Sequence, residues 1–204
     1  MIELYAAGTS NGMRARIALE ECGLPYTFHP VDLAKGENKT PGYLAMNPNG
    51  QIPVIVDSDG PGGKKLTLSQ SLAIMVYCAE KAGKFIPTDP ALRPAFSQAF
   101  MSAATDMGPM LGTIFGISRS KEPHQPTLGV FEERWKDYLK VWDATLARHR
   151  FAAGKAVTIA DFALYGTVAR TKSILPRLCE SVPNVDRWLG EIGARPAVQR
   201  AMKF

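Results

Sequence analysis

A proline stands at the mouth of a β-branched run in Asn49-Gly50-Gln51-Ile52-Pro53-Val54-Ile55-Val56, and a small polar pair opens Ser69-Gln70-Ser71-Leu72-Ala73-Ile74 a short way on. Proline lacks an N–H and cannot donate to a central ladder, so it belongs at a strand's first residue or in a special turn. An X-Pro bond is also where a cis peptide is tolerated. A cis turn before Pro53 would aim the backbone N–H and C=O of Ile52 outward, ready to pair with an extended peptide. Ser71, near a helix N-terminus, would offer a hydroxyl and an orphan amide to a carboxylate. Together these features describe a site for a small anionic peptide such as glutathione.

The rest of the chain limits where such a site can sit. With 204 residues, 46% hydrophobic and 21% charged, it suits one large or two small globular domains. No apolar run approaches the roughly 20 residues of a membrane helix. The start, Met1-Ile2-Glu3-Leu4-Tyr5, has no basic region or cleavage site, so no signal peptide is expected. Three widely spaced cysteines, Cys22, Cys78 and Cys179, argue against a disulfide framework and for a reducing compartment, the cytoplasm. The net charge of +5 comes from scattered Lys and Arg. It reads as a solvated basic surface with a mild pull on anions, not as a nucleic-acid stripe.

Along the chain, Ile2 to Ala6 alternates as a strand, Gly8-Thr9-Ser10-Asn11-Gly12 is a polar turn, and Met13 to Cys22 reads as a helix stopped by Gly23. Strands follow at 26–32, 52–56 and 66–68, with one helical turn over 41–46, a turn cluster over 57–63 and a helix from Ser69 to Lys81. The first two strands need a crossover and should run parallel; the last two are close enough for a hairpin. This is the plan of an α/β thioredoxin-like domain over 1–83. A proline-bearing linker over 84–90 leads to an all-α domain over 91–204, with helices expected at 91–112, 127–149, 158–175 and 184–202. Thr158 and Asp161 form a variant capping box, flanked by Val157 and Phe162 as a hydrophobic staple.

In this order and spacing, the turn Thr9-Ser10-Asn11-Gly12, the pair Ile52-Pro53, the pair Gln70-Ser71 and the box Thr158 to Asp161 resemble the cytosolic glutathione transferases over essentially the whole chain. The resemblance implies a homodimer with glutathione as co-substrate and no metal, and with the second-substrate pocket in the helical domain. It places the γ-glutamyl end at Gln70 and Ser71, the cysteinyl backbone at Ile52 before Pro53, and the thiol at the helix start near Asn11. Within the family, Thr9 and Asn11 resemble the pair that stands at the thiol in bacterial disulfide-reducing transferases of the Nu type. By the same likeness Asn38 would meet the glycyl end and Arg134 a glutathione carboxylate. Gln70-Ser71-Leu72 instead resembles the zeta-type isomerases, although their Ser-Ser-Cys is replaced here by Thr9-Ser10-Asn11. The implied reaction is attack of a glutathione thiolate on a disulfide or an electrophilic carbon, in detoxification. Zeta-like isomerisation and a non-catalytic ligand carrier are the alternatives.

Such a reaction needs a thiolate, whereas a free thiol has a pKa of about 8.5. Lowering it by two units takes roughly 2.7 kcal/mol. Hydroxyl donors from Thr9 or Ser10, an amide donor from Asn11 and the helix N-terminus could supply that jointly, as oriented dipoles and not as bases. The turn Thr9-Ser10-Asn11-Gly12 would also serve as a plain N-cap turn. Tyr5 is a rival activator or a core residue. Cys22 and Cys78 read as small buried hydrophobes, with no Cys-x-x-Cys. His29, His124 and His149 show no metal spacing. Met107, Met110, Leu111, Ile114 and Phe115 recur at helical spacing as core or as an adaptable pocket wall. Asp106 is either an exposed helix carboxylate or one that reaches a partner subunit's glutathione.

Overall fold

The computed structural model describes residues 1–204. Contacts divide the chain into two units, Met1–Lys84 with Ala194–Phe204, and Phe85–Gly193.

The first unit is built on a four-stranded sheet in the order β2-β1-β3-β4, with β1 Ile2–Ala6, β2 Tyr26–Pro30, β3 Val54–Asp57 and β4 Leu66–Ser69. β1 and β2 run parallel across the crossover helix α1, Ser10–Cys22, while β3 is antiparallel to both β1 and β4. In β1 the residues Ile2, Leu4 and Ala6 are buried and alternate with half-buried Glu3 and Tyr5, as a pleated strand with two unlike faces requires. α2 spans Pro41–Met46 and α3 spans Ser71–Ala82. α1 and α3 each end on a left-handed glycine, Gly23 and Gly83, the conformation that only glycine adopts without a Cβ penalty.

α1 begins three residues before the expected Met13, because Thr9 caps it and the polar turn supplies its first turn. β2 is shorter than expected and β3 begins at Val54, one residue after the proline. The expected helix over 184–202 is two helices, α8 Pro183–Gly193 and α9 Pro196–Ala201. Pro196 disfavours helical backbone at the residue before it, and Arg195 is extended. The break lets residues 194–204 leave the helical set to which the sequence reading assigned them. α9 packs on α1, with Arg195 gripping Glu21 through two bonds of 2.5 and 2.6 Å and Arg200 reaching Glu20 at 2.7 Å.

At the other end of the sheet Asp57 is 1% exposed and accepts from Tyr77 at 2.6 Å, Lys81 at 2.7 Å and the Asp59 amide at 2.9 Å. Burial pushes its carboxyl up, but these donors outweigh burial and bring it to about 2. The folded value lies below the unfolded one, so the stabilisation is complete above pH ~4 and is lost as pH falls toward 2. Asp57→Asn should therefore cost about 2 kcal/mol in urea unfolding at pH 6, and that penalty should shrink steadily as the pH is lowered.

The second unit holds α4 Arg93–Ser102, a π-helical turn Ala103–Met107, α5 Gly108–Ser118, α6 Gln125–Arg148, α7 Ile159–Ile174 and α8. The expected helix over 91–112 thus continues to Ser118 through a π turn that contains Asp106. Met107, Met110, Leu111 and Ile114 are buried core, and Phe115 is half-buried. Thr158 and Asp161 form the capping box of α7, and Asp143 of α6 caps α8 through the Asn184 and Val185 amides at 2.7 and 3.0 Å. No helix is long and apolar enough to cross a membrane.

Candidate active site

Strand register brings the singled-out segments together. Val54 lies between Tyr5 of β1 and Ser69 of β4. Adjacent strands are about 4.8 Å apart, so the exit of β1, the entry of β3 and the exit of β4 leave one sheet end within about 10 Å. Thr9, Ser10 and Asn11 follow β1, Ile52 and Pro53 precede β3, and Gln70 and Ser71 follow β4. The exit of β2 lies at the same end, where the Val31 amide donates to the Ala6 carbonyl at 3.0 Å.

At the first helix start, Thr9 Oγ1 accepts from the Gly12 amide at 3.2 Å, and the Thr9 carbonyl takes the first helical bond from Met13 at 2.9 Å. A capping hydroxyl accepts through a lone pair and keeps its own hydrogen to donate. Ser10 is the first helical residue and half-buried; Asn11 is exposed, and its Oδ1 accepts from Arg14 Nη1 at 3.1 Å. The Asn11 amide nitrogen is left to donate elsewhere. The Thr9 hydroxyl and the Asn11 amide thus each accept a bond from within the helix and keep hydrogens to donate, above the orphan amides of a helix N-terminus. Such a place suits an anion.

The Ile52-Pro53 peptide is cis. The turn before it is braced by two residues that the sequence reading passed over: Tyr43 Oη and Asn47 Nδ2 both donate to the Gln51 carbonyl, at 3.0 and 2.7 Å. Asn38 Nδ2 donates to the Gly50 carbonyl at 2.6 Å, tying the loop after β2 to the same turn. The turn-rich Asn47-Pro48-Asn49-Gly50 was the available signal for this bracing.

Gln70 has φ 75° and ψ 111°, a conformation that non-glycine residues adopt at a cost of order 1–3 kcal/mol and that clusters at ligand clamps. Ser71 follows as the first residue of α3 and is 5% exposed. Arg134 is exposed on α6, in the second unit. Tyr5 Oη donates to Glu3 at 3.2 Å and its ring stacks on His29 at 4.6 Å. Its hydroxyl is thus engaged along its own strand and takes the place of a packing residue. All three cysteines are buried, and burial pushes Cys22 and Cys179 up to about 11 and Cys78 higher still. The chain thus holds no thiol of its own that ionises readily near neutral pH.

A cavity of about 320 Å³ opens beside the turn, between Ala7, Gly8, Phe28, Val31 and Phe204. A second, of about 420 Å³, lies in the other unit among α4, α6 and Ala152–Ala153, with Gln98, Tyr138, Trp142 and Arg148 on its wall.

A thioredoxin-like sheet with a capping turn of hydroxyl and amide side chains after β1, a cis-proline before β3 and a polar pair opening α3 defines a glutathione-binding class of fold. Two family profiles match the chain: the glutathione S-transferase N-terminal domain over residues 10–81 and the glutathione S-transferase C-terminal domain over 107–203. The chain belongs to the glutathione S-transferase family. Among curated relatives, the disulfide-bond oxidoreductase YfcG of Escherichia coli is 33% identical across 99% of this chain and 94% of its own. The disulfide-bond oxidoreductase YghU of the same organism is 32% identical across 98% and 73%. Among solved structures, a glutathione transferase family member from Pseudomonas fluorescens with two glutathione bound superposes with a TM-score of 0.91 at 32% identity, over 99% of this chain and 92% of that one. A glutathione transferase from Pseudomonas putida with one glutathione disulfide bound per subunit gives 0.91 at 30% identity, over 100% and 91%.

Proposed function

We propose that this chain is a glutathione-dependent disulfide reductase in which Thr9, Ser10 and Asn11 hold the glutathione thiolate. The observation that carries the reading is the turn after β1, whose side chains keep donors outward while no protein thiol is ready to ionise. Hydroxyl and carboxamide side chains stabilise a thiolate by donating to it and do not serve as bases near neutral pH, so the thiol comes with the ligand. The Ile52 backbone would pair with the cysteinyl residue, with Pro53 fixing that turn. Gln70 and Ser71 would meet the γ-glutamyl end, and Asn38 would brace the glycyl side. The thiolate attacks one sulfur of a small disulfide; a new glutathionyl disulfide forms, and the other sulfur leaves as a thiolate that takes a proton from solvent. A second glutathione completes the reduction and yields glutathione disulfide. Ligands of this kind occupy the Pseudomonas relatives, and YfcG and YghU are named disulfide-bond oxidoreductases.

The test is glutathione-dependent turnover of a small mixed disulfide beside that of an aryl halide. Fast disulfide reduction with weak arylation is expected, and the reverse order would refute the assignment. Asn11→Ala should lower kcat/KM for the disulfide at least tenfold, about 1.4 kcal/mol of transition-state stabilisation, with a thermal midpoint lowered by only about 2–4 °C through loss of the Arg14 bond. Gln70→Gly separates stability from binding. Relief of the positive φ should raise unfolding stability by about 1 kcal/mol, while loss of the side-chain contacts weakens glutathione binding about tenfold. Calorimetry and a urea titration read the two effects.

The same reading includes a homodimer acting in the cytoplasm. For the first, exposed Met101 on α4 and exposed Val130 and Val141 on α6 are apolar groups that a partner subunit would cover. Three free cysteines support the second.

A further inference from the structure

Arg14 is 2% exposed, one of very few buried charges in the chain. Burial lowers its guanidinium to about 10, so it stays charged at neutral pH. It lies one helical turn beyond Asn11, and its Nη1 donates to Asn11 Oδ1 at 3.1 Å. Guanidinium has five donors and no acceptor, whereas an amide side chain can present either its oxygen or its nitrogen. A neighbour that only donates leaves Asn11 one choice: oxygen toward Arg14, NH₂ away from it.

We propose that Arg14 is a positioning residue that locks the Asn11 amide with its NH₂ toward the bound thiol, so that the site favours the thiolate over the thiol. This inference rests on the reading of Asn11 as a thiol contact. A thiolate only accepts, and a fixed donor stabilises it; an amide free to flip would present its carbonyl oxygen to a thiol S–H for part of the time and favour the neutral form. Arg14 itself does not touch the sulfur in this account. Its effect passes through Asn11, and that separates the proposal from a simple through-space effect of positive charge.

The experiment is a double-mutant cycle read on the pKa of bound glutathione, followed by the ultraviolet absorbance of the thiolate in the full-length protein saturated with glutathione. Asn11→Ala should raise that pKa by about one unit, a tenfold fall in thiolate at a pH well below the pKa. Arg14→Met should raise it by a similar amount in the parent protein and by almost nothing in the Asn11→Ala background. Any loss of thermal stability from Arg14→Met should be smaller in the Asn11→Ala background, where the Arg14–Asn11 bond is already absent, and the melting data are read separately from the thiol pKa. A pKa rise that persists undiminished without Asn11 overturns the proposal in favour of direct charge, and no rise from Arg14→Met beside a clear one from Asn11→Ala overturns it outright. No rise from Asn11→Ala itself removes the underlying reading of the site, which is a different failure.

Arg14→Met leaves Arg14's position packed but uncharged and could impair folding, so two further variants carry the test alone. Arg14→Lys keeps a donor-only neighbour and should hold the bound pKa near the parent value. Asn11→Asp keeps the partner of Arg14, adding an ion pair, but puts an acceptor where the NH₂ stood. It should raise the thiol pKa by more than Asn11→Ala does. An unchanged pKa in Asn11→Asp, or a full Met-like rise in Arg14→Lys, contradicts the proposal.

Discussion

Gly12→Ala is expected to abolish disulfide reduction, with kcat/KM down at least a hundredfold, and to lower the thermal midpoint. Helix propensity alone argues the other way, since alanine is better than glycine in a helix by about 1 kcal/mol. The surroundings decide. A Cβ on Gly12 would be driven into the Ala7 carbonyl oxygen, with the Ala6 Cβ 3.4 Å away on the next side. That oxygen is backbone, and it already accepts from the Thr9 amide at 2.7 Å. It cannot swing aside as a flexible side chain would. Relief must come from moving the turn, and the turn carries Thr9, Ser10 and Asn11. Overpacking of this kind costs about 1–3 kcal/mol or more, and a displacement of about 1 Å at a reacting centre can cost a hundredfold in rate. Circular dichroism melting with a turnover assay reads both effects; a variant that is more stable and fully active would show that the turn is not built this way.

The second large effect lies far from the chemistry, at Asp161. Its carboxylate is 0% exposed and accepts from the Ala152 amide at 2.7 Å, the Thr158 amide at 2.9 Å, Trp188 Nε1 at 3.0 Å and Thr158 Oγ1 at 3.2 Å. Burial pushes this carboxyl up, and the four donors oppose that. Asp161→Ala strips the partner from all four donors at once in a place where water does not reach. Each buried donor left alone costs about 1–3 kcal/mol, tempered by partial relaxation, so a total loss of about 4 kcal/mol is expected. Against a total stability of about 5–15 kcal/mol, that leaves a marginal protein. Asp161→Asn has the same shape and keeps one oxygen, so it should lose about half as much. Guanidinium unfolding, followed by far-ultraviolet circular dichroism, measures the series. A loss under about 1 kcal/mol for Asp161→Ala would mean that the four bonds matter little.

These two sites differ in how far the sequence disclosed them. The capping box was readable because its chemistry is local: Thr158 and Asp161 are three residues apart, and the structure forms the box as read. What the spacing could not disclose was the reach of the same carboxylate to Ala152 and Trp188, which the chain brings in from outside the motif. Strand pairing was also legible, from the crossover between the first two strands and the short turn between the last two. The break before Pro196 was missed because amphipathic spacing continues across it, and the π turn at 103–107 because periodicity alone does not mark one. At the sheet end, residue types pointed to Thr9, Ile52, Pro53 and Ser71, since each has a role tied to its side chain or its missing N–H. Arg14 was invisible for the opposite reason: an arginine in a helix reads as solvated surface until packing shows it buried. Gln70 gave no sign of its backbone, since a positive φ is expected at glycine or asparagine.

The path of the tail sets how the chain can be divided. Residues 194–204 belong with Met1–Lys84, and Phe85–Gly193 lies between them in sequence. In sequence, the helical unit is therefore an insertion within the unit that carries the sheet, which is discontinuous along the chain. A fragment cut at Lys84 would end after α3 and yet lack α9, leaving Glu20 and Glu21 without Arg200 and Arg195 and baring the α1 face that α9 covers. During synthesis this unit completes its sheet at Ser69, long before α9, which begins at Pro196 and covers the outer face of α1, emerges. To isolate it, the tail must be supplied as a separate peptide or the ends rejoined in a permuted order.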